Sequence, residues 1–345
     1  MCRHLAYLGP PAALRDLVIE PEYGLYRQSW APRNQRNGTV NADGFGVGWY
    51  APGDPVPARY RREGPIWADR SFADLARVTR STAVLAAVRS ATEGTAAGAE
   101  AAAPYGAGRW LFSLNGAIGG WPDSVADLAG RRLSPGDLLR LEARCDAAFV
   151  WALVRRRLED GADPADALTE VVADIAGCTT ARLNLLLTDG EVIAATTWGD
   201  VLGYRFGPAG VLVASEAPDD SPDWTDLPDA TLLRATRDGL ELRSLIVGSG
   251  EAAESGELAE AAKAGESGAS ADSAASAGSA KAAAPATATI SMTVPLGSTA
   301  VPSRSASGLG RSAPDSSHPN PTGPAAADDG PPGTTPTSRD FLRVN

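Results

Sequence analysis

Cys2, directly behind the initiator methionine, is the residue whose position suggests the most specific chemistry. Bacterial-type processing removes Met1 when the next residue is small, which would leave Cys2 with both a thiol and a free α-amine. The ordinary pKa of such an amine is about 7.7–8.0 and that of the thiol about 8.5, so at neutral pH an unprotonated amine can accept the thiol proton, directly or through a water. Nucleophile and base would then come from one residue. The alternative interpretation is that position 2 is unconstrained and its cysteine has no role.

Histidine is scarce, which limits the other ways of activating a thiol. The chain contains His4 and His318 only, and His318 lies in a segment with the composition of a tail. A Ser-His-Asp triad, a multi-histidine zinc site or a Cys-His pair is difficult to build from His4 alone. His4 shares a strand face with Cys2, and packing or tuning of the thiol suits it better than the role of base.

Four further residues have types and positions that suit acyl transfer. Asn115 and Gly116 end an apolar run, where a carboxamide and a backbone N–H can converge on an oxyanion, although Asn-Gly is also a common hairpin turn. Arg89 stands where an apolar strand ends and can bind a carboxylate bidentately, or it can form a surface ion pair. Asp146 begins a predicted helix and can receive an ammonium group, or it can be a favourable acid in the first turn.

The elements that would position these residues occur in an informative order. Apolar runs predict strands up to about residue 118, beginning with RHLAYLG, together with short helices in PPAALRDLVIEP and SFADLARVTRS. A helical region follows over about 122–176, and its last two segments are 3.6-periodic. Strands joined by hairpins come next, with Asp-Gly turns at 189–190 and 238–239. This order predicts antiparallel sheets covered by helices, an α+β domain rather than a βαβ nucleotide-binding fold.

Composition divides the chain near residue 247. No aromatic residue occurs between Trp224 and Phe341, and residues 248–338 are mostly Ala, Ser, Gly, Pro and Thr. Such a segment buries too little apolar surface to offset its chain entropy. We therefore predict a catalytic domain over residues 2–247 and a disordered tail over residues 248–345.

Net charge and cysteine content limit the possible binding partners and the cellular compartment. The net charge of −11 argues against a nucleic-acid or membrane partner, and no apolar run is long enough for a membrane span. The amino terminus lacks the pattern of a signal peptide and the three cysteines have no CxxC spacing, which together predict a cytoplasmic protein. No cluster of residues predicts a metal or an organic cofactor. A homo-oligomer is left open.

Five stretches of the chain carry a family resemblance. Together, MCRHLAYLG, NADGFGVGWY, VRSAT, WLFSLNGAI and SEAPDDSPDW resemble the class II glutamine amidotransferase domains of the N-terminal nucleophile hydrolase superfamily. The stretch RQSWAPRNQRNGTVNADGFGVGWY is most similar to the stand-alone members that hydrolyse γ-glutamyl-hercynylcysteine sulfoxide in ergothioneine biosynthesis. The resemblance covers about residues 2–247.

The resemblance implies a fold and a role for each candidate residue. The family has a four-layer αββα sandwich, with the mature cysteine at the end of a central strand. Cys2 matches the nucleophile and, through its amine, the base. Asn115 and Gly116 match the pair that stabilises the oxyanion. Arg89 matches the residue that holds the α-carboxylate of the glutamyl group, and Asp146 the one that holds its α-ammonium.

Three positions depart from the pattern of related domains. Leu114 stands before Asn-Gly, where histidine is common, and Glu93 stands after the Arg-x-Ala-Thr run, where histidine is also common. Ala147 and Ala148 follow the ammonium-binding aspartate in place of Ser-Glu. The first two departures leave the oxyanion pair intact. The third removes a carboxylate that could support the ammonium group.

The resemblance implies hydrolysis of a small γ-glutamyl substrate through a thioester on Cys2. Ammonia transfer needs a synthase domain, which residues after 247 are not predicted to form. Three alternatives remain: a glutaminase subunit that delivers ammonia to a separate synthase, a γ-glutamyl hydrolase with another amine leaving group, and a non-catalytic scaffold whose tail recruits partners. Aromatic side chains suit the trimethylammonium of the leaving group. The candidates are Trp30, Trp49, Tyr50 and Trp67, although core packing explains most of them better.

Overall fold

The computed structural model describes residues 2–36, 38–92 and 94–245. Within them the strands are β1 Arg3–Ala13, β2 Phe45–Trp49, β3 Ala58–Arg62, β4 Arg80–Val88, β5 Tyr105–Ala107, β6 Trp110–Ile118, β7 Ala181–Thr188, β8 Ile193–Thr197, β9 Gly203–Gly207, β10 Gly210–Ala214, β11 Thr225–Asp226, β12 Thr231–Ala235 and β13 Leu240–Ser244. The α-helices are α1 Leu14–Val18, α2 Leu25–Gln28, α3 Arg70–Val78, α4 Ala126–Arg132, α5 Pro135–Leu139, α6 Asp146–Glu159 and α7 Pro164–Ala176. Short 3₁₀-helices lie at Ile66–Ala68, Ala99–Ala101 and Asp123–Val125. Glu93 and the predicted tail lie outside the described residues.

The described strands form two antiparallel sheets. The first has the order β11-β9-β10-β1-β4-β2-β3, and the second has the order β13-β12-β8-β7-β6-β5. Strand β1 pairs with β10 on one side and β4 on the other, with Leu5 opposite Ala214 and Ala86. Because β1 begins at Arg3, Cys2 stands at the end of a central strand.

Alternation along the strands explains why the domain has four layers. In β1, Leu5 and Tyr7 pack with the helices α1 to α3, while Ala6 and Leu8 face the second sheet. Successive side chains of a strand point to opposite faces, so one strand supplies two cores. A third core joins the outer face of the second sheet to α6 and α7. The predicted α+β fold, a four-layer αββα sandwich, is confirmed.

The region after β1 differs from the prediction of a proline-initiated helix in PPAALRDLVIEP. Strand β1 continues through Pro10 and Pro11, and the helix α1 begins only at Leu14. The pairing with β4 shifts register after Leu8 and resumes at Ala12, opposite Ser81. Pairing with a central strand therefore outweighs the local preference for a helix.

The helices that cover the second sheet begin where the sequence predicts. At α7, the Asp163 carboxylate accepts a hydrogen bond from the Ala165 N–H, and Pro164 occupies the first turn. Helix α6 begins at Asp146, where Phe149 and Leu153 are buried and Leu158, on the same side, is partly buried. No helix in the described ranges is long and apolar enough to cross a membrane. The cytoplasmic localisation stays a prediction.

Candidate active site

One cavity collects the chemically interesting residues at the ends of several elements. Its lining includes Cys2 before β1, Arg89 after β4, Gly116 in β6 and Asp146 at the start of α6. Residues that are distant in sequence meet here because β1 and β4 are paired in one sheet and β6 belongs to the other. We refer to this space as the Cys2 cavity.

The Cys2 thiol is partly exposed and lies 3.9 Å from the Ser90 carbonyl oxygen. Loss of hydration in the cavity raises the pKa of the thiol. The positive charge of the amino terminus opposes this shift most, followed by the Ser90 backbone and Arg89. The thiol is therefore protonated at neutral pH. It can act as a nucleophile only if a nearby group accepts its proton.

His4 is unsuited to be that base. It is fully buried between the sheets, with Nδ1 3.1 Å from the Ser113 hydroxyl. Burial and the charge of Arg3 lower the pKa of the imidazole to about 3. A general base works best when its pKa lies near the working pH, so an imidazole this acidic takes up a proton poorly.

Asn115 and Gly116 lie inside β6, so the alternative interpretation as a hairpin turn is wrong. Asn115 is opposite Asn184 of β7, and Gly116 is opposite Leu183. A Cβ atom at Gly116 would collide with the carbonyl of Arg182, which explains why only glycine fits. Gly116 lines the Cys2 cavity, and the Asn115 side chain is fully buried.

The Arg89 guanidinium is buried and held by backbone and hydroxyl oxygens. Nη1 donates to the Asp43 carbonyl at 3.2 Å, and Nη2 donates to the Thr95 hydroxyl at 3.1 Å and to the Ala96 carbonyl at 2.7 Å. No described carboxylate forms an ion pair with Arg89, which argues against the surface-pair interpretation. A guanidinium has five N–H donors, so about two remain for a ligand.

The Asp146 carboxylate places negative charge in the same cavity. It is 6% exposed, and its two oxygens accept hydrogen bonds from the backbone N–H groups of Ile118 and Ala147. Burial raises the pKa of the carboxyl, whereas these hydrogen bonds and Arg89 act against the shift. Arg89 and Asp146 together offer one cationic and one anionic partner, which suits the zwitterionic end of an α-amino acid.

A second thiol, Cys145, also lines the cavity and was missed as a site residue. It directly precedes α6, is buried, and lies 3.2 Å from the Tyr105 hydroxyl, which also donates to the Ala101 carbonyl. Burial raises the pKa of Cys145 and holds that of Tyr105 well above its usual range. Adjacency to Asp146 was the available signal for Cys145. Nothing in the sequence around Tyr105 indicated that it belongs to the site.

The four aromatic candidates for a trimethylammonium pocket lie outside the lining of the Cys2 cavity. Tyr50 is buried, and its single O–H lies within hydrogen-bond distance of the Arg109 and Thr188 carbonyls, at 2.7 and 2.9 Å. Trp30 packs edge-on against Trp67, 5.6 Å between ring centroids. In the part of the chain that the structure describes, no group of three His, Cys, Asp or Glu side chains is placed to hold a metal ion.

Sequence comparison decides the family. The profile of the family described as class II glutamine amidotransferases matches residues 24–205, more than half of the chain. The chain belongs to the class II glutamine amidotransferases. The predicted family is thereby confirmed. The matched range contains Arg89, Asn115, Gly116 and Asp146 and begins after Cys2.

This amidotransferase-family chain matches two relatives over nearly their whole length. The γ-glutamyl-hercynylcysteine sulfoxide hydrolase of Mycolicibacterium smegmatis is 43% identical over 234 residues, which are 68% of this chain and 95% of the relative. The protein of the same name from Mycobacterium tuberculosis is 39% identical over 246 residues, 71% of this chain and 97% of the relative. A solved protein from Silicibacter pomeroyi, described as a glutamine aminotransferase class-II domain protein, superposes with a TM-score of 0.52 at 24% identity, covering 71% of this chain and all of that one. This last likeness supports the fold.

Proposed function

We propose that the protein hydrolyses γ-glutamyl-hercynylcysteine sulfoxide to glutamate and hercynylcysteine sulfoxide, a step of ergothioneine biosynthesis. The observation that carries the proposal is the joint placement of Cys2, Gly116, Arg89 and Asp146 in one cavity. It occurs in a chain 43% identical to a hydrolase with that named substrate.

The glutamyl end of the substrate binds between opposite charges. The remaining N–H donors of Arg89 hold the α-carboxylate, and Asp146 holds the α-ammonium. The γ-carbonyl then points along the cavity toward Cys2. This arrangement recognises the invariant part of any γ-glutamyl amide and leaves the amine side to other residues.

The chemistry begins once Met1 has been removed. The Cys2 α-amine takes the thiol proton, and the sulfur attacks the γ-carbonyl carbon to form a C–S bond. The Asn115 side chain and the Gly116 N–H stabilise the oxyanion. The Cys2 ammonium then gives its proton to the departing nitrogen as the C–N bond breaks. Water attacks the resulting thioester, the amine accepts one water proton and returns it to the sulfur, and glutamate is released.

The domain that does this comprises residues 2–247, and we expect residues 248–345 to be dispensable for turnover. The relatives with the hydrolase name are covered over 95% and 97% of their length by about 70% of this chain, so their length is close to that of the domain alone. A hydrolase releases its amine product to solvent and needs no synthase domain. No cofactor takes part in the proposed reaction.

The proposal is tested by comparing substrates. We expect purified chain to release glutamate from γ-glutamyl-hercynylcysteine sulfoxide with a far higher kcat/KM than from L-glutamine, and the chain ended at residue 247 to behave as the full chain does. Glutamate release is measured with a coupled dehydrogenase assay. Preferential use of glutamine would favour the glutaminase alternative, and equal use of unrelated γ-glutamyl amines would favour a general γ-glutamyl hydrolase. If none of these substrates is hydrolysed, the alternative of a non-catalytic scaffold would be favoured.

A binding measurement tests the role of Asp146. In a Cys2→Ala chain, which cannot turn over, we expect the affinity for L-glutamine to fall as the pH drops through an Asp146 pKa above the ordinary value of about 3.9, because protonation removes the charge that pairs with the α-ammonium. Asp146→Asn on the same background should bind about 10–100-fold more weakly at neutral pH. It should also lose this pH dependence. Isothermal titration calorimetry between about pH 4.5 and 7 reads both effects, since the α-groups of glutamine stay charged there.

Asp137 offers the matched control, because it is a buried aspartate in the cap of α5, outside the Cys2 cavity. Asp137→Asn should lower thermal stability and leave glutamine binding and its pH dependence in place. Undiminished binding by Asp146→Asn would exclude Asp146 as the ammonium site.

A further inference from the structure

Ser215 opens the SEAPDDSPDW stretch, to which the proposed reaction assigns no role. It directly follows β10 and is 1% exposed. Its backbone N–H donates to the His4 carbonyl at 3.0 Å, and its hydroxyl oxygen accepts from the His4 N–H at 3.1 Å. The hydroxyl is thus fixed in place beside the strand whose end carries Cys2.

The Asn115 carboxamide reaches this hydroxyl from the opposite sheet. The carboxamide atom nearest Ser215, assigned as Nδ2, lies 3.1 Å from the hydroxyl oxygen, and Asn115 is fully buried. Its oxygen, Oδ1, is buried and has no hydrogen-bond partner among the described residues. Because the nitrogen and oxygen of a carboxamide have nearly the same shape, the hydrogen-bond network decides which of them faces Ser215.

The network favours the oxygen facing Ser215. The His4 backbone N–H is always a donor, so the Ser215 oxygen accepts its hydrogen bond and the hydroxyl proton is available to an acceptor. If the Asn115 nitrogen faced Ser215, that proton would have no acceptor among the described residues and the buried carboxamide oxygen would stay unpaired. With the two atoms exchanged, the Ser215 hydroxyl donates to the Asn115 oxygen, so both of these groups are paired. The two Asn115 N–H groups then take the buried position of Oδ1, where no described residue accepts from them and an oxyanion can.

We propose that Ser215 is a positioning residue that fixes the orientation of the Asn115 carboxamide, so that its N–H groups rather than its oxygen face the oxyanion. The inference rests on the proposed function, in which Asn115 is an oxyanion donor. The orientation of the carboxamide decides whether Asn115 stabilises or destabilises the oxyanion, because an N–H stabilises a developing negative charge and a carbonyl oxygen repels it. Through Ser215, the His4 backbone N–H of β1 thereby determines which end of the Asn115 carboxamide, in the other sheet, faces the oxyanion.

The kinetic consequence differs from that of a merely structural hydrogen bond. Oxyanion contacts form only in the transition state, so a misoriented Asn115 lowers kcat and leaves KM nearly unchanged. We expect Ser215→Ala to lower kcat by about 10-fold or more, a part of the 10²–10³-fold expected for complete loss of a donor. Ser215→Cys, which fills the same space with a weak donor, should show a similar loss.

The decisive experiment is a double-mutant cycle on the full chain with γ-glutamyl-hercynylcysteine sulfoxide. If Ser215 acts through Asn115, Ser215→Ala should change kcat by less than about twofold in an Asn115→Ala background. Ser81→Ala is the control, because Ser81 is a buried serine whose hydroxyl bonds the Tyr50 and Ala83 carbonyls outside the Cys2 cavity. It should lower the melting temperature without the loss of kcat.

The outcomes separate this inference from the proposed function. Unchanged kcat in both folded Ser215 variants, or an equal loss of kcat with and without Asn115, would overturn the positioning role while leaving Asn115 as an oxyanion donor. An Asn115→Ala chain with normal kcat would instead overturn the proposed role of Asn115 itself. A rise in KM with kcat unchanged would place Ser215 in substrate binding and also contradict the inference.

Discussion

Replacing Cys2 by alanine is expected to lower kcat by about 10⁴-fold or more, because removal of a covalent nucleophile leaves only the binding and oxyanion contacts. Glutamine should still bind, since Arg89 and Asp146 are untouched. Steady-state turnover and calorimetry on the same preparation measure the two effects. A Cys2→Ala chain that still turns over would exclude the thioester mechanism.

The amine of Cys2 can be tested apart from its thiol. A chain that carries a permanent extension before Cys2 keeps the sulfur and loses the free α-amine, so we expect it to be inactive. Proteolytic removal of an extension that leaves Cys2 first should restore turnover. Mass spectrometry of the native product should show that Met1 is absent. Full activity of the extended chain would mean that another group accepts the thiol proton.

Cys145 is the natural competitor for the part of nucleophile, because it lines the same cavity. Its sulfur lies against the Tyr105 hydroxyl, and the pKa of both groups is raised by burial, so neither activates the other at neutral pH. We expect Cys145→Ser to remain active, like Cys178→Ser at an exposed cysteine. An electrophilic glutamine analogue should label Cys2, and labelling of Cys145 instead would move the nucleophile there.

Asn115→Ala is expected to lower kcat by about 10²–10³-fold with little change in KM, since an oxyanion donor acts in the transition state. Asn115→Leu, which keeps the approximate shape without any N–H, should lose as much. Stopped assays of glutamate release at saturating substrate give kcat, and thermal denaturation verifies that the variants are folded.

Asn184 provides a matched control one strand away. It lies opposite Asn115 in the register of β6 and β7 and is equally buried. Its carboxamide is bonded to the Val201 carbonyl and the Trp198 N–H, so it has a structural role. Asn184→Ala should lower stability and keep kcat. Equal kinetic damage at both positions would show that Asn115 acts through the fold and not on the oxyanion.

Local pattern predicted some elements well and others poorly, for physical reasons. The alternation in RHLAYLG and the 3.6-residue period before residue 177 predict β1, α6 and α7, because one buried face decides each of them. The prolines after Leu8 suggest the start of a helix, yet the chain stays extended through Ala13. Pairing with β4 decides this region, and β4 lies about 70 residues further along the chain.

The candidate site, too, was predicted in part from local pattern and decided in part by long-range contacts. Residue types and motifs alone identified Cys2, Arg89, Asn115, Gly116 and Asp146 as candidates and predicted the family. Sequence could not reveal that Asn-Gly lies within a strand, because the carbonyl that demands glycine there belongs to Arg182 in β7.

The sequence by itself determined the layered α+β fold, the family and the identity of the candidate residues, since these depend on short-range periodicity and on residue types. Only the tertiary structure decided which of those residues share a cavity, that Cys145 and Tyr105 join them, and that Ser215 contacts Asn115. Such contacts join residues far apart in sequence, as Asn115 and Ser215 are at a separation of 100 positions. No local pattern encodes them, because they arise when the two sheets pack face to face.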